Sequence, residues 1–204
     1  MSRLLLVRHG ITEFNSTRRF AGYSDVELSA AGYRQVERLR DRLANEQIDA
    51  VYSSVVKRAL VTAEVISSGR KVDIVTCSEL REMNYGDAEG LTFEEISRHH
   101  PELAESITNF SLELSFPGGE SFKGFIARTI KFLNRLNKHA AEQTILIVSH
   151  GGALKVLVYD LLGIGQSHWE KFRFDNASLS IIDTYSQIAI LSLLNDTSHL
   201  READ

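Results

Sequence analysis

Cysteine is nearly missing from this 204-residue chain: Cys77 stands alone, so neither an internal disulfide nor a zinc ribbon can form. A reducing compartment, the cytoplasm, is the expectation. Proline is as scarce, with 2 residues, and 13 glycines are too few for collagen, linker or low-complexity sequence. Long apolar runs are missing as well. The stretches 144–148 and 154–162 are broken up by Ser149, His150, Lys155 and Asp160, well short of the ~20 apolar residues that cross a bilayer. Ahead of Arg8 and His9 stand only residues 4–7 as an apolar run, shorter than the ~7–15 residues of a secretory signal. Neither leader nor membrane span is expected. There is no excess of positive charge either: 23 Lys+Arg against 27 Asp+Glu leave −4, which removes the general positive field behind non-specific nucleic-acid binding. Any anionic ligand must be held by a local cluster of cations.

What is present has the make-up of a folded globular chain, with 43% hydrophobic and 25% charged residues. At ~100–200 residues per domain, one domain spanning 1–204 is expected. Residues 3–8 form a short, nearly continuous apolar run, the pattern of a strand buried on both faces of a parallel sheet. Ser29 then precedes a helical stripe of Val36, Leu39 and Leu43. Residues 49–52 read as a strand, 56–66 as a helix stopped near Gly69, and 72–76 as a third strand. This alternation implies α/β architecture: a three-layer α/β/α sandwich with a mostly parallel central sheet.

From Cys77 to Gly119 the alternation stops, and an acidic, loop-rich insertion at about 78–120 is expected to cover the site. Its one clear helix start is Thr92 with Glu95, a capping box for a helix over residues 93–99 that ends before Pro101. Pro117-Gly118-Gly119 marks a turn. Beyond it, Phe122, Phe125, Ile126, Ile130, Leu133 and Leu136 line one face of a long helix. The run 144–148 is the strongest strand in the chain, followed by an apolar helix to Leu162. Residues 178–185 and 187–193 read as a closing hairpin.

Two segments share one layout: Arg8-His9-Gly10 follows the first strand, and Ser149-His150-Gly151-Gly152 follows the strong later one. Each puts a histidine at the carboxyl end of a buried strand, where ligands bind in open α/β sheets. Glycine after each histidine lets backbone approach a ligand, and a helix starting after Gly151 would offer N–H groups to an anion. Arg8 at the end of an apolar strand needs an anionic partner, and its fork suits phosphate. A phosphate site is the natural reading of these residue types; the alternative, a hydrogen-bonded structural histidine at each strand end, is weakened by their occurring twice and once beside an arginine. His99, His100, His139, His168 and His199 lack metal-ligand spacing and read as surface or packing residues.

With Thr12 and Asn15, Arg8-His9-Gly10 resembles the signature of the histidine phosphatase superfamily, phosphoglycerate-mutase-like branch. The likeness continues in order through Gly22-Tyr23-Ser24-Asp25 with Leu28-Ser29 and Gly32, Ser53-Ser54 with Arg58-Ala59 and Thr62-Ala63, Leu80-Arg81-Glu82 with Gly86 and Glu89-Gly90, and Ser149-His150-Gly151-Gly152. The resemblance implies that His9 is the nucleophile and forms a phosphohistidine. It implies that Arg8, Arg58 and His150 surround the phosphoryl group. Their charge would keep His9 unprotonated and leave no need for a metal or other cofactor. Glu82 is implied as the proton donor to the leaving oxygen and the base toward water. Asn15 would add an amide donor, and Gly22 a backbone contact near the pocket rim.

Ile11 departs from the Glu or Gln of many relatives, which removes a polar contact and leans away from the mutases. Similar mutases are longer, and residues 116–121 are similar to compact phosphatases, α-ribazole phosphatases of cobalamin biosynthesis and broad-specificity enzymes among them. Hydrolysis of a small phosphorylated metabolite is therefore expected. α-Ribazole 5′-phosphate is favoured by resemblance, with sugar phosphates, phosphoserine and 3-phosphoglycerate open. Mutase activity and non-enzymatic phospholigand binding are the rivals. Oligomeric state, a homodimer included, is left open.

Overall fold

The computed structural model describes residues 2–201, apart from the side chains of 166, 167 and 170. Six strands form one sheet: β1 (Ser2–Arg8), β2 (Ala50–Ser54), β3 (Ile74–Cys77), β4 (Thr144–Ser149), β5 (Leu179–Thr184) and β6 (Ala189–Asp196). Their order across the sheet is β3-β2-β4-β1-β5-β6. The pairs β2–β3, β2–β4 and β1–β4 are parallel, whereas β5 runs antiparallel to both β1 and β6. The expected α/β architecture and its mostly parallel sheet are what the chain builds, closed at one edge by the hairpin.

Period-two alternation divides the core between the two faces. Leu5 and Val7 of β1 pack with Val36 and Leu39 of α2 (Ala30–Arg42) and with Ala59, Ala63 and Ile66 of α3 (Lys57–Ser67). Leu4 and Leu6 turn the other way, onto Leu154, Leu157 and Val158 of α7 (Gly151–Leu162). Because both faces of β1 are covered, Leu4, Leu5, Leu6 and Val7 are all buried. The remaining helices are α1 (Glu13–Ser16), α4 (Phe93–His99), α5 (Pro101–Thr108) and α6 (Phe122–Lys131). Among the described residues no helix is long and apolar enough to cross a membrane.

Two elements differ from the sequence reading. Pro101, read as a stop, is the first residue of α5, a position where its missing N–H costs nothing and its fixed φ suits a helix. The long helix after Gly119 keeps α geometry only to Lys131 and tightens to a 3₁₀ helix over Phe132–Lys138. The segment between β3 and α6 has its own apolar cluster. Met83, Ala88, Ile96, Leu103, Leu114, Phe116, Phe122 and Phe125 pack there, together with Ala153 and Val156 of α7.

Candidate active site

Register brings the two histidines together. In the β1–β4 pair Arg8 stands opposite Ser149, and the His9 amide donates to the Ser149 carbonyl at 3.1 Å. The next residue on each strand is thus a histidine at the same sheet edge, and the two rings lie 5.1 Å apart at 64°. β2 is the other neighbour of β4, so Ser53 and Ser54 end at that edge too, and α3 begins immediately beyond with Arg58 in its first turn.

The His9 ring is held at both nitrogens. Nδ1 lies 2.7 Å from the Gly10 carbonyl and Nε2 lies 3.2 Å from Arg58 Nε. A carbonyl can only accept and a guanidinium can only donate, so the proton sits on Nδ1 and the lone pair on Nε2. Burial, then the charges of Arg58 and Arg8, hold the His9 pKa well below its ordinary value. His9 is a neutral imidazole whose free lone pair lies on Nε2.

Arg58 is fully buried. Its Nη1 donates to the Ser24 carbonyl and its Nη2 to those of Ala21 and Gly22, each at 2.8 Å. Those carbonyls belong to a loop held by Glu89, whose carboxylate accepts from the amides of Gly22, Tyr23, Ser24 and Tyr85 and from the Ser24 hydroxyl. Gly22 therefore differs from the expected rim contact: its N–H is taken by Glu89 and its carbonyl by Arg58, so it orients the arginine instead of meeting a ligand. Burial pulls the pKa values of Arg8 and Arg58 down, and Glu82 is the foremost charge opposing this. Both remain cations, because a guanidinium stays protonated in proteins.

His150 also has a lowered pKa, through burial first and then Arg58, His9 and Arg8. Expected as a positive neighbour of the phosphate, it is a neutral ring that offers an N–H. Its Nε2 lies 2.9 Å from Ser54 Oγ, which already accepts from the Val56 amide. The Ser54 hydroxyl both donates and accepts, so Nε2 is engaged and Nδ1 is the nitrogen left over. That nitrogen is buried without a hydrogen-bond partner among the described residues, and so is Arg8 Nε. Buried polar atoms are nearly always paired. Two such unpaired nitrogens thus stand on the residues at the carboxyl ends of β1 and β4.

Glu82 closes the group from the segment after β3. One carboxylate oxygen accepts from the Met83 amide at 3.0 Å and the other from the Gly152 amide at 2.9 Å. The N-terminus of α7, expected to receive a ligand anion, thus receives the chain's own carboxylate. A Cβ at position 152 would lie 2.3 Å from Glu82 Oε1, so only glycine allows this approach. Asn15 Oδ1 accepts from the Thr12 amide and hydroxyl and from Asn176 Nδ2, which turns the Asn15 amide nitrogen away from those donors. Asn15 lines a cavity of about 450 Å³ with Arg8, His9, Glu82 and Tyr85.

Several residues of this arrangement lacked a separate sequence signal. Asn176 donates to the His9 carbonyl as well as to Asn15. Thr62 accepts from the Gly10 amide and donates to the Arg58 carbonyl. Tyr85 lines the cavities beside Glu82, and burial together with Glu82 and Glu89 raises its pKa well above the ordinary value, so its hydroxyl stays a donor. Thr62, in Thr62-Ala63, and Glu89, in Glu89-Gly90, stand in the segments that carry the family likeness; Asn176 and Tyr85 do not. Among the described residues no group of three His, Cys, Asp or Glu is placed to hold a metal ion.

The sequence model of the histidine phosphatase superfamily (branch 1) matches residues 4–197. The chain belongs to that superfamily. Relatives named as phosphatases are among its matches, and this chain is an enzyme of that class. Phosphoserine phosphatase 1 of Hydrogenobacter thermophilus is 32% identical, over 99% of this chain and 96% of its own. The adenosylcobalamin/α-ribazole phosphatase of Escherichia coli is 34% identical over 95% of each. Among solved structures, a putative α-ribazole-5′-P phosphatase from Escherichia coli superposes with a TM-score of 0.91 at 32% identity, covering 96% of this chain and 97% of that one.

The buried neutral histidines give this phosphatase a pH-dependent stability. A folded-state pKa below the unfolded value means that the unfolded chain binds more protons as the pH falls through about 6.5, so stability present above that pH is lost below it. His9 and His150 each contribute up to about 1.4 kcal/mol per pH unit, and His199, also depressed by burial, has the same sign. Thermal unfolding at pH 7.5 and 5.5 should show the loss, and His150→Asn should flatten it.

Proposed function

We propose that this phosphatase hydrolyses phosphomonoesters through a phosphohistidine at His9. The observation that carries the reading is the pairing of a neutral His9, its lone pair on Nε2, with buried unpaired nitrogens on Arg8 and His150. His9 Nε2 attacks phosphorus as the P–O ester bond breaks, and Glu82, having taken up a proton on substrate binding, gives it to the departing oxygen. Water then attacks phosphorus as the N–P bond breaks, Glu82 takes a proton from that water, and inorganic phosphate leaves with His9 regenerated. Charge building on the equatorial oxygens meets Arg8, Arg58, the His150 N–H and the Asn15 amide. Because two guanidiniums supply that charge, full activity is expected in excess chelator.

The substrate is a small phosphorylated metabolite with an aromatic or apolar group, and α-ribazole 5′-phosphate of cobalamin biosynthesis is favoured. A cavity of about 180 Å³ reaches Glu82 and Gly152 and is walled by Phe20, Tyr85, Phe110, Phe116 and Trp169. It is below the roughly 300–1,000 Å³ of a whole ligand site, so it suits one ring system of a larger substrate. The likeness to the α-ribazole phosphatase of Escherichia coli supports the same choice. Phosphoserine is the second reading, favoured by a neighbouring cavity lined by Lys155, Arg173 and Asp175, side chains that match an ammonium and a carboxylate. Residues 78–120, which contribute Glu82, Tyr85, Phe110 and Phe116, are the cover of this site within one domain spanning 1–204. The free Cys77 suits the cytoplasm.

Values of kcat/KM for α-ribazole 5′-phosphate, phosphoserine, sugar phosphates and 3-phosphoglycerate, measured without metal, test this reading. α-Ribazole 5′-phosphate should lead by about tenfold or more, the discrimination an apolar pocket achieves. Phosphoserine in first place would overturn the substrate but not the hydrolysis. Mutase activity with 2,3-bisphosphoglycerate comparable to hydrolysis would overturn both.

A further inference from the structure

Arg128 takes no part in the chemistry above, yet its guanidinium is engaged on every side. From α6, Nη1 donates to the carbonyls of Glu79 at 3.0 Å and Arg81 at 3.1 Å, and Nη2 to that of Glu82 at 3.1 Å. Nε and Nη2 also form a two-pronged bond of 2.8 Å each to the carboxylate of Glu120. Glu120 in turn accepts from the Asn84 amide at 2.9 Å. Both side chains are largely shielded, at 18% and 21% exposure, which sets this pair apart from the weak ion pairs of open surface.

The stretch 79–84 has no strand partner to take its backbone groups. Its 3₁₀ turn ends at Leu80, and carbonyls beyond a helix end need other donors. Arg128 supplies those before and at Glu82, while Glu120 supplies the acceptor for the amide two residues after it. The pair is itself docked on this stretch by the 117–119 turn. The Glu120 amide donates to the Asn84 carbonyl and the Asp87 amide to the Pro117 carbonyl, both at 2.9 Å. A Cβ at position 119 would lie 2.4 Å from the Asn84 oxygen, so glycine is needed for the backbones to meet.

We infer that Arg128, gripped by Glu120, is a positioning residue that fixes the backbone around Glu82 and so aims its carboxyl at the leaving oxygen. This rests on Glu82 as the proton donor. A misaimed donor harms substrates in proportion to their need for a proton, so two aromatic phosphates separate aim from general integrity. p-Nitrophenolate departs without a proton; the alkoxide of benzyl phosphate does not.

The test compares kcat/KM for these two substrates in the wild type, Arg128→Lys and Glu82→Gln, with thermal unfolding as the fold control. Arg128→Lys keeps the charge but not the planar fork. It should lower kcat/KM for benzyl phosphate about 10²-fold, as small misplacements do, and that for p-nitrophenyl phosphate by less than about threefold. Glu82→Gln should show the same selectivity at about 10²–10⁴-fold. Equal losses on both substrates in Arg128→Lys, or no loss, with Glu82→Gln selective, would overturn the positioning role alone. An unselective Glu82→Gln would overturn the reading of Glu82 and the inference with it. If Arg128→Lys does not fold, Glu120→Gln, which leaves Arg128 in place, should show the same selectivity at about tenfold, and its absence would count equally against the role.

Discussion

Replacement of His9 by alanine is expected to abolish phosphoenzyme formation and to lower kcat by about 10⁴-fold or more, the scale on which loss of a nucleophile is felt. Of the two histidines, only His9 has both ring nitrogens assigned by one-way partners, the Gly10 carbonyl and Arg58 Nε. His150 lies 5.1 Å away, ring to ring, and is the natural competitor. Its Nε2, however, is engaged by the Ser54 hydroxyl. His150→Ala should therefore slow the reaction while still forming phosphoenzyme. Acid quenching after mixing with ³²P-labelled substrate distinguishes the two, because a phosphoramidate is labile to acid and stable to alkali. Label retained in His9→Ala and lost in His150→Ala would reverse their roles. The fold should survive, since the His9 side chain supplies two local contacts and no part of the sheet ladder.

Much of this site could be read from the chain because it hangs on strand ends. The apolar runs of β1 and β4 are unmistakable, and a histidine directly after each must emerge at the same edge once the strands pair in parallel. Arg58 is a different case. Nothing in Lys57-Arg58 separates a solvated helix face from a buried guanidinium, and only the family likeness chose between them. Burial of Arg58 depends on three carbonyls of the 21–24 loop, contacts across more than thirty residues that no periodicity reports.

The segment after β3 was the least legible for the same reason. Its backbone is satisfied by side chains, Glu89 for the amides near Gly22 and Arg128 for the carbonyls near Glu82, rather than by ladders with a repeat. Local signals worked where the physics is local: the Thr92–Glu95 capping box set the start of α4, as expected. They misled where one residue serves two purposes. Pro101 ends one helix pattern and begins another, and Gly152 turns its N–H to Glu82 instead of to a ligand. Net charge behaves likewise. A chain at −4 still gathers Arg8 and Arg58 beside His9, with the nearby carboxylates Glu82 and Glu89 turned onto backbone amides.

Arg58→Met is expected to lower kcat/KM about 10³-fold and, more tellingly, to shift the acid limb of its pH profile upward. The rate loss is what removal of one fixed donor to a developing oxyanion costs. The pH shift has a separate origin. Burial is the first cause of the low His9 pKa and Arg58 the second, so removing the guanidinium removes a like charge that opposes the imidazolium. His9 then protonates at higher pH, and since only the neutral ring attacks, kcat/KM begins to fall sooner as the pH is lowered. In the wild type that limb lies below the ordinary histidine value of about 6.5; in Arg58→Met it moves toward it. Arg58→Lys should restore part of the pH profile, because it restores charge, but little of the rate, because one ammonium cannot serve Ala21, Gly22, Ser24 and His9 in the geometry of the fork. A profile from pH 4.5 to 8 for the three enzymes decides it. If the acid limb does not move in Arg58→Met, Arg58 contributes to the rate by binding alone and the protonation state of His9 is set by burial.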